Sequence, residues 1–284
     1  MKPPAKPGQK NQKPKPNQKP NQRSHLLKAH ITNPMIMTVD STFSRTVKFA
    51  FILTDLSDSI NINWGDGTNN TFNYISPAGQ THIYTTSAVF TVNVVGKASG
   101  LGAPNSNLLA LTGIVSWGDL GTGFRSLQCA CLSATNLTAV PNYIPSSVKY
   151  LDNMFNSATR INDPNISKWN VFNVYSMQGL FMNASVFNQP LWRWNVANVS
   201  NMSSMFQAAF LFNRPIWNWN VQLVGDMSYM FRYAYKFRRI LYLWKPYNVV
   251  RATQMFCNCP LMKPALYPKF VNPALKNVVL CPPI

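Results

Sequence analysis

Eight aspartates are the only carboxylate side chains in this 284-residue chain, which contains no glutamate. With three histidines and five cysteines, they are the side chains most apt to hold a metal or to serve as the acid or base that activates a nucleophile. Asp55, Asp58, Asp66 and His82 lie in one stretch, but their spacing suggests no triad. From residue 153 onward only Asp163 and Asp226 remain, and no histidine follows His82. No G-x-S-x-G elbow, phosphate loop, dinucleotide fingerprint or H-E-x-x-H pattern occurs. Cys129 with Cys131, and Cys257 with Cys259, form C-x-C pairs, yet no histidine is placed to complete a zinc site. An odd cysteine count (Cys281 is the fifth) without an apolar leader argues against a disulfide framework. The expectation is a chain with no catalytic residues, no cofactor and no metal.

The chemistry that is abundant is cationic. Lysine and arginine total 26, for a net charge of +18, which points to an anionic partner rather than to a fold. Two groups stand out. Lys2, Lys6, Lys10, Lys13, Lys15, Lys19 and Arg23 lie in a proline- and asparagine-rich segment with no acid before Asp40. That segment reads as extended chain: either a solvated tail, or an arm lying along an acidic protein, an anionic surface or nucleic acid. With no aromatics, any nucleic-acid contact would be directed at phosphates. Arg232, Lys236, Arg238 and Arg239 form the second group, around Tyr229, Tyr233 and Tyr235, the mix that binding hot spots favour. The N-terminus has no apolar h-region, so no secretory signal is expected, and no apolar run is long enough to span a membrane.

Three segments alternate like strands: Thr46–Phe51, Ser59–Trp64 and Phe90–Val95. Gly65-Asp66-Gly67-Thr68 between them reads as a tight turn. Trp64-Gly65-Asp66-Gly67, then His82-Ile83-Tyr84 and a final alternating strand, resembles the polycystic-kidney-disease (PKD-like) immunoglobulin-type module. That resemblance implies a β-sandwich in which Asp66 secures the turn.

From about residue 100 the pattern becomes a repeat. Trp169, Trp194, Trp219 and Trp244 are 25 apart, as are Phe181, Phe206, Phe231 and Phe256. Val174, Val199, Val224 and Val249 share the interval, as do Leu180, Met205, Met230 and Met255, and Phe187, Phe212, Phe237 and Met262. A period of this length means stacked units whose like residues form core ladders. Asn188 and Asn213 sit where asparagine can adopt left-handed geometry or bond exposed backbone. The run Trp194-Asn195-Val196 through Met205-Phe206, then Phe212-Asn213-Arg214-Pro215, resembles the BspA-like leucine-rich-repeat surface-protein family over about residues 108–262. The resemblance implies a leucine-rich-like solenoid with binding or structural roles and no catalytic residues. Such repeats occur on bacterial and protist surfaces and in large DNA viruses. Asn170, Asn195, Asn220 and Lys245 stand where family repeats usually carry Asp.

The expected fold class is therefore mixed β and α/β: an immunoglobulin/PKD-like sandwich over 35–99, after an extended basic arm over 1–34. A leucine-rich-repeat-like solenoid over 100–262 and a proline-rich cap or tail over 263–284 follow. The expected function is a non-enzymatic structural protein, first a minor capsid or virion component of a large DNA virus. Its partners would be other proteins of the assembly, the major capsid protein among them. The alternatives are a cell-surface or secreted adhesin, and a nucleic-acid-associated packaging protein.

Overall fold

A computed structural model describes residues 33–56, 58–73, 80–102, 104, 108–275 and 279–281; Lys2, Lys6, Lys10, Lys13, Lys15, Lys19 and Arg23 lie outside these. Period-two alternation builds the first layer. β1 (Met35–Asp40) buries Met35, Met37 and Val39 on one face. It pairs antiparallel with β7 (Val89–Gly96) and β9 (Leu111–Ser116). β4 (Ile60–Asn63) and β5 (Asn69–Phe72) complete a five-stranded sheet in the order β5-β4-β7-β1-β9. Two short ladders accompany it: β2 (Thr46–Phe49) with β6 (Gln80–Ile83), and β3 (Phe51–Ile52) with β8 (Gly100–Leu101).

The Gly65–Gly67 turn joins β4 to β5, with φ +85° and +91° at the two glycines, and a Cβ on Gly65 would fall 2.5 Å from the Thr91 carbonyl. Asp66 accepts from the Thr68 amide (3.0 Å) and hydroxyl (2.6 Å), and its other oxygen meets His82 Nε2 at 2.7 Å. Trp64 is sandwiched between Phe49 and His82, while the Tyr84 hydroxyl donates to the Trp64 carbonyl.

The expected mixed β and α/β class is overturned. Among the described residues the only helical elements are two short 3-10 helices, Pro164–Lys168 and Pro264–Leu266, and Leu275 alone is α-helical. The strands form one five-stranded sheet and two two-stranded ladders, and β8 and β9 come from beyond residue 99. The repeats contain no strand-and-helix unit of the leucine-rich-repeat-like solenoid. They are turns joined by single parallel bridges: Ser126↔Tyr150↔Ser176↔Asn201↔Asp226↔Arg251.

The cause is local. Two positions in every repeat are left-handed: Asn153, Gly179, Ser204, Tyr229 and Gln254 at φ 51° to 60°, then Ser157, Asn183, Ala208, Tyr233 and Asn258 at φ 54° to 61°. Residues with positive φ four apart interrupt both a helix and a strand. Their amides point along the repeat axis instead. Gly179, Phe181 and Asn183 donate to the carbonyls of Ser203, Met205 and Gln207, and Ser204, Phe206 and Ala208 to those of Ser228, Met230 and Arg232. These amides are satisfied between repeats, while the amides alternating with them, such as those of Leu180, Met182 and Ala184, close turns within one repeat on Met177, Gly179 and Phe181.

Between these bonded edges lie the ladders read from the sequence. Tryptophans 169, 194, 219 and 244 stack at centroid spacings of 6.3–6.5 Å, and each indole N–H finds a carbonyl. Phe155, Phe181, Phe206, Phe231 and Phe256 stack at 5.6–5.8 Å. Asn162, Asn188 and Asn213 do not turn left-handed: each side-chain oxygen accepts the amide at the same place in the next repeat, of Asn188, Asn213 and Arg238. The C-terminal segment then closes the last repeat. The Val279 carbonyl accepts from the Phe256 amide, Tyr267 stacks on Phe256 at 4.5 Å, and Phe270, Leu275 and Val279 are buried. A Cys257–Cys281 disulfide ties this segment down, against the expectation from the odd count. The apolar core is continuous from Met35 to Val279.

Titratable groups set how the chain should respond to alkylation and to acid. Burial pushes the thiol of Cys259 up to about 12 and raises those of Cys131 and Cys129, the last also facing Asp152. All three are therefore expected to resist iodoacetamide at about pH 8 in the folded chain and to react once it is denatured. Peptide mass mapping checks this; labelling of Cys131 or Cys259 in the native protein would contradict it.

The second concerns acid. Burial raises the pKa of Asp226, but the Ser228 amide and the Arg251 guanidinium, 2.7 Å away, outweigh it and leave the group below its ordinary 3.8. Asp66 is likewise lowered, by Thr68 and His82 against burial. A depressed carboxyl contributes stability that is fully present above the unfolded value and lost as pH falls through the folded one. The urea midpoint should therefore fall below about pH 4, and less so in Asp226→Asn.

Candidate functional site

Repeat residues divide by direction. The periodic tryptophans, phenylalanines and methionines of the ladders are buried, and most of the residues that vary between repeats reach solvent. The repeat at 219–243 departs from the two before it at several neighbouring places. Where its neighbours carry Gly179 and Ser204 it has Tyr229, and where they carry Met182 and Gln207 it has Arg232. Asn183 and Ala208 give way to Tyr233, Ser185 and Phe210 to Tyr235, and Val186 and Leu211 to Lys236.

These substitutions form a connected surface. The Arg232 guanidinium lies over the rings of Tyr229 (5.5 Å) and Tyr233 (4.9 Å), and its Nη2 donates to the Tyr233 hydroxyl at 3.2 Å. Tyr233 meets Tyr235 edge-on at 6.3 Å, and Tyr235 stacks on Phe210 of the preceding repeat at 5.3 Å. Tyr235 and Phe210 are exposed, as is Lys236, whose amide donates to the Phe210 carbonyl. Arg232 Nε is buried with no hydrogen-bond partner, and so is Gln254 Oε1, which follows Tyr229 by one repeat.

The four basic residues grouped by sequence are thus split. Arg232 and Lys236 belong to the aromatic cluster. Arg238 and Arg239 belong to the asparagine turn: the Arg238 amide bonds Asn213 Oδ1, and Arg239 Nε donates to the Asn213 carbonyl at 2.9 Å. Arg214 makes the same contact one repeat earlier, to the Asn188 carbonyl at 2.8 Å. Sequence reasoning did not single out the exposed Trp192 and Trp217, at 48% and 51%, which recur 25 residues apart at a place of their own beside the buried ladder. Arg193 lies over the Trp192 ring.

Among the described residues, no group of three histidine, cysteine or acidic side chains could hold a metal ion, and no helix is long and apolar enough to cross a membrane. A recess of about 610 Å³ lies at the C-terminal closure between Tyr242, Pro264, Tyr267, Phe270 and Leu280.

Over residues 149–267 the chain is similar to the family described as Mycoplasma protein of unknown function, DUF285, a family associated with BspA-like repeat proteins. That similarity covers the repeats and extends neither to the PKD-like resemblance nor to a viral origin. No curated protein and no solved structure matches the chain.

Proposed function

We propose that this chain is a non-enzymatic scaffold that binds other proteins through the side chains its repeats direct outward, as a component of a larger assembly. One observation carries the reading: the ladder residues are consumed by the core, while the 219–243 repeat carries a connected surface of tyrosine, arginine and lysine that the two repeats before it lack. Tyrosine and arginine are enriched where protein interfaces concentrate their energy. The excess of positive charge adds attraction for an acidic partner.

The Cys257–Cys281 disulfide supports an oxidising location, such as a cell surface or the exterior of a virion. Purified particles and membrane fractions, assayed side by side, separate those two settings. The test of the binding reading is photo-cross-linking from position 235 in the native assembly. A defined partner protein captured there, and not from buried position 231, is the expected result; a chain that cross-links to nothing from either position would contradict it.

A further inference from the structure

We infer that the exposed aromatic row of Trp192, Trp217 and Tyr242, with the basic side chains set along it, is a docking face for an anionic lipid surface. This goes beyond the protein-binding reading above and shares no residue with the tyrosine and arginine cluster on which that reading stands.

The row is not a need of the fold. Its members each lie two places before a ladder tryptophan: Trp194, Trp219 and Trp244. The ladder tryptophans are buried, whereas Trp192, Trp217 and Tyr242 are 48%, 51% and 41% exposed. Ser167 holds the corresponding place before Trp169, so a repeat forms without an aromatic there. Large rings left in water at one place in three successive repeats make an apolar strip, and such strips mark a contact.

Three observations select the partner. The first is shape. The ladder tryptophans beside the row stack with their planes 5–6° apart and their centroids 6.3–6.5 Å apart. Successive repeats are therefore related there by almost pure translation, and the row runs straight. A straight row suits a flat partner.

The second observation is charge. Arg193 lies over the Trp192 ring at 4.7 Å, and Lys168 holds the place of Arg193 one repeat earlier. Lys245 shares a shallow recess with the exposed Leu243, next to Tyr242. All three cations are exposed. From residue 149 onward, Asp152 and Asp163 are buried and Asp226 is paired with Arg251, so no carboxylate offsets them. Tryptophan and tyrosine interleaved with lysine and arginine is the composition that settles at a membrane interface, and anionic headgroups attract such cations where a neutral glycan surface does not.

The third observation is where the row ends. Tyr242 forms one wall of the recess at the C-terminal closure, with Tyr267, Phe270, Leu280 and one cation, Lys269. An apolar hollow beside a positive charge fits an acyl chain under an anionic headgroup. A sulfated or phosphodiester backbone would bring the charge without the chain.

The test is co-sedimentation of the full chain with vesicles of phosphatidylcholine, alone or mixed with phosphatidylserine. Fluorescence quenching by lipids brominated in the acyl chain is read in parallel. The chain should partition onto the phosphatidylserine vesicles and be quenched there. Trp192→Ser with Trp217→Ser installs the residue used at Ser167, and should weaken that partition at least about tenfold and abolish the quenching. Both proteins keep the basic N-terminal residues, so the difference between them reports the face. Arg193→Gln should lower the partition onto phosphatidylserine vesicles about fivefold with an unchanged thermal midpoint, which a merely structural role of the face would not produce. Partition kept in full by the double variant or by Arg193→Gln would overturn the inference. So would equal partition onto pure phosphatidylcholine, or retention on insoluble chitin or cellulose with none on vesicles.

Discussion

Replacing Phe206 by alanine is expected to destabilise the chain by about 3–5 kcal/mol, the usual cost of removing a buried phenylalanine. Phe206 is fully buried and stacks on Phe181 (5.7 Å), Phe231 (5.6 Å) and, within its own repeat, Phe212 (3.9 Å). Its neighbours above and below are fixed by amide bonds that the substitution leaves in place, from Phe206 to Met230 and from Phe181 to Met205. The repeats therefore cannot collapse into the space, and the void persists. Phe210, four residues on, supplies the contrast. It is exposed and stacks only on Tyr235, so Phe210→Ala should change stability by no more than about 1 kcal/mol. Urea midpoints of the two variants check both values; equal losses would mean that the ladder does not carry the fold.

Gly102→Ala is the second large effect expected, at about 2 kcal/mol or more. Gly102 has φ +121°, a region that only glycine enters readily, and a β-carbon there would lie 2.0 Å from the Gln128 carbonyl and 2.5 Å from the Ala130 amide. Those atoms are backbone and cannot rotate away. The Gly102 amide meanwhile donates to the Ala50 carbonyl, so one residue joins the strands to the first repeat. Relief must come from separating the two, and the variant should lose cooperativity as well as midpoint. A Gly102→Ala variant with an unaltered urea transition would show that the sheet and the repeats are not coupled there.

What could be read from the sequence was what recurs in several registers at once. The tryptophan, phenylalanine and methionine ladders are of that kind, and so are the alternating strands that became β2 with β3, β4 and β7. The conformation of each repeat was not legible. Its left-handed positions hold glycine only at Gly179, and otherwise serine, asparagine, alanine, glutamine and tyrosine, which carry no common signal for positive φ. Without those positions, the period reads as readily as a strand-and-helix unit, and that is the class the structure overturns. β9 was hidden for a different reason. Leu111–Ser116 precedes the repeats in sequence, but its partner β1 lies far back in the chain, and long-range pairing leaves no local mark. The disulfide did leave one: Cys281 follows Cys257 by 24 residues, the same offset at which Tyr233 bonds Cys257 and Ala208 bonds Arg232. In the candidate site, composition revealed the arginines and tyrosines together. It could not show that the asparagine turn draws Arg238 and Arg239 away from Arg232.

Each repeat is held to the next through the backbone at its left-handed edge. Amide hydrogen exchange on the full chain tests it most directly. The amides of Phe155, Phe181, Phe206 and Phe231, with those two residues before and after each, should exchange slowly as one continuous block. Rapid exchange at those amides, with protection confined to β1, β7 and β9, would contradict it.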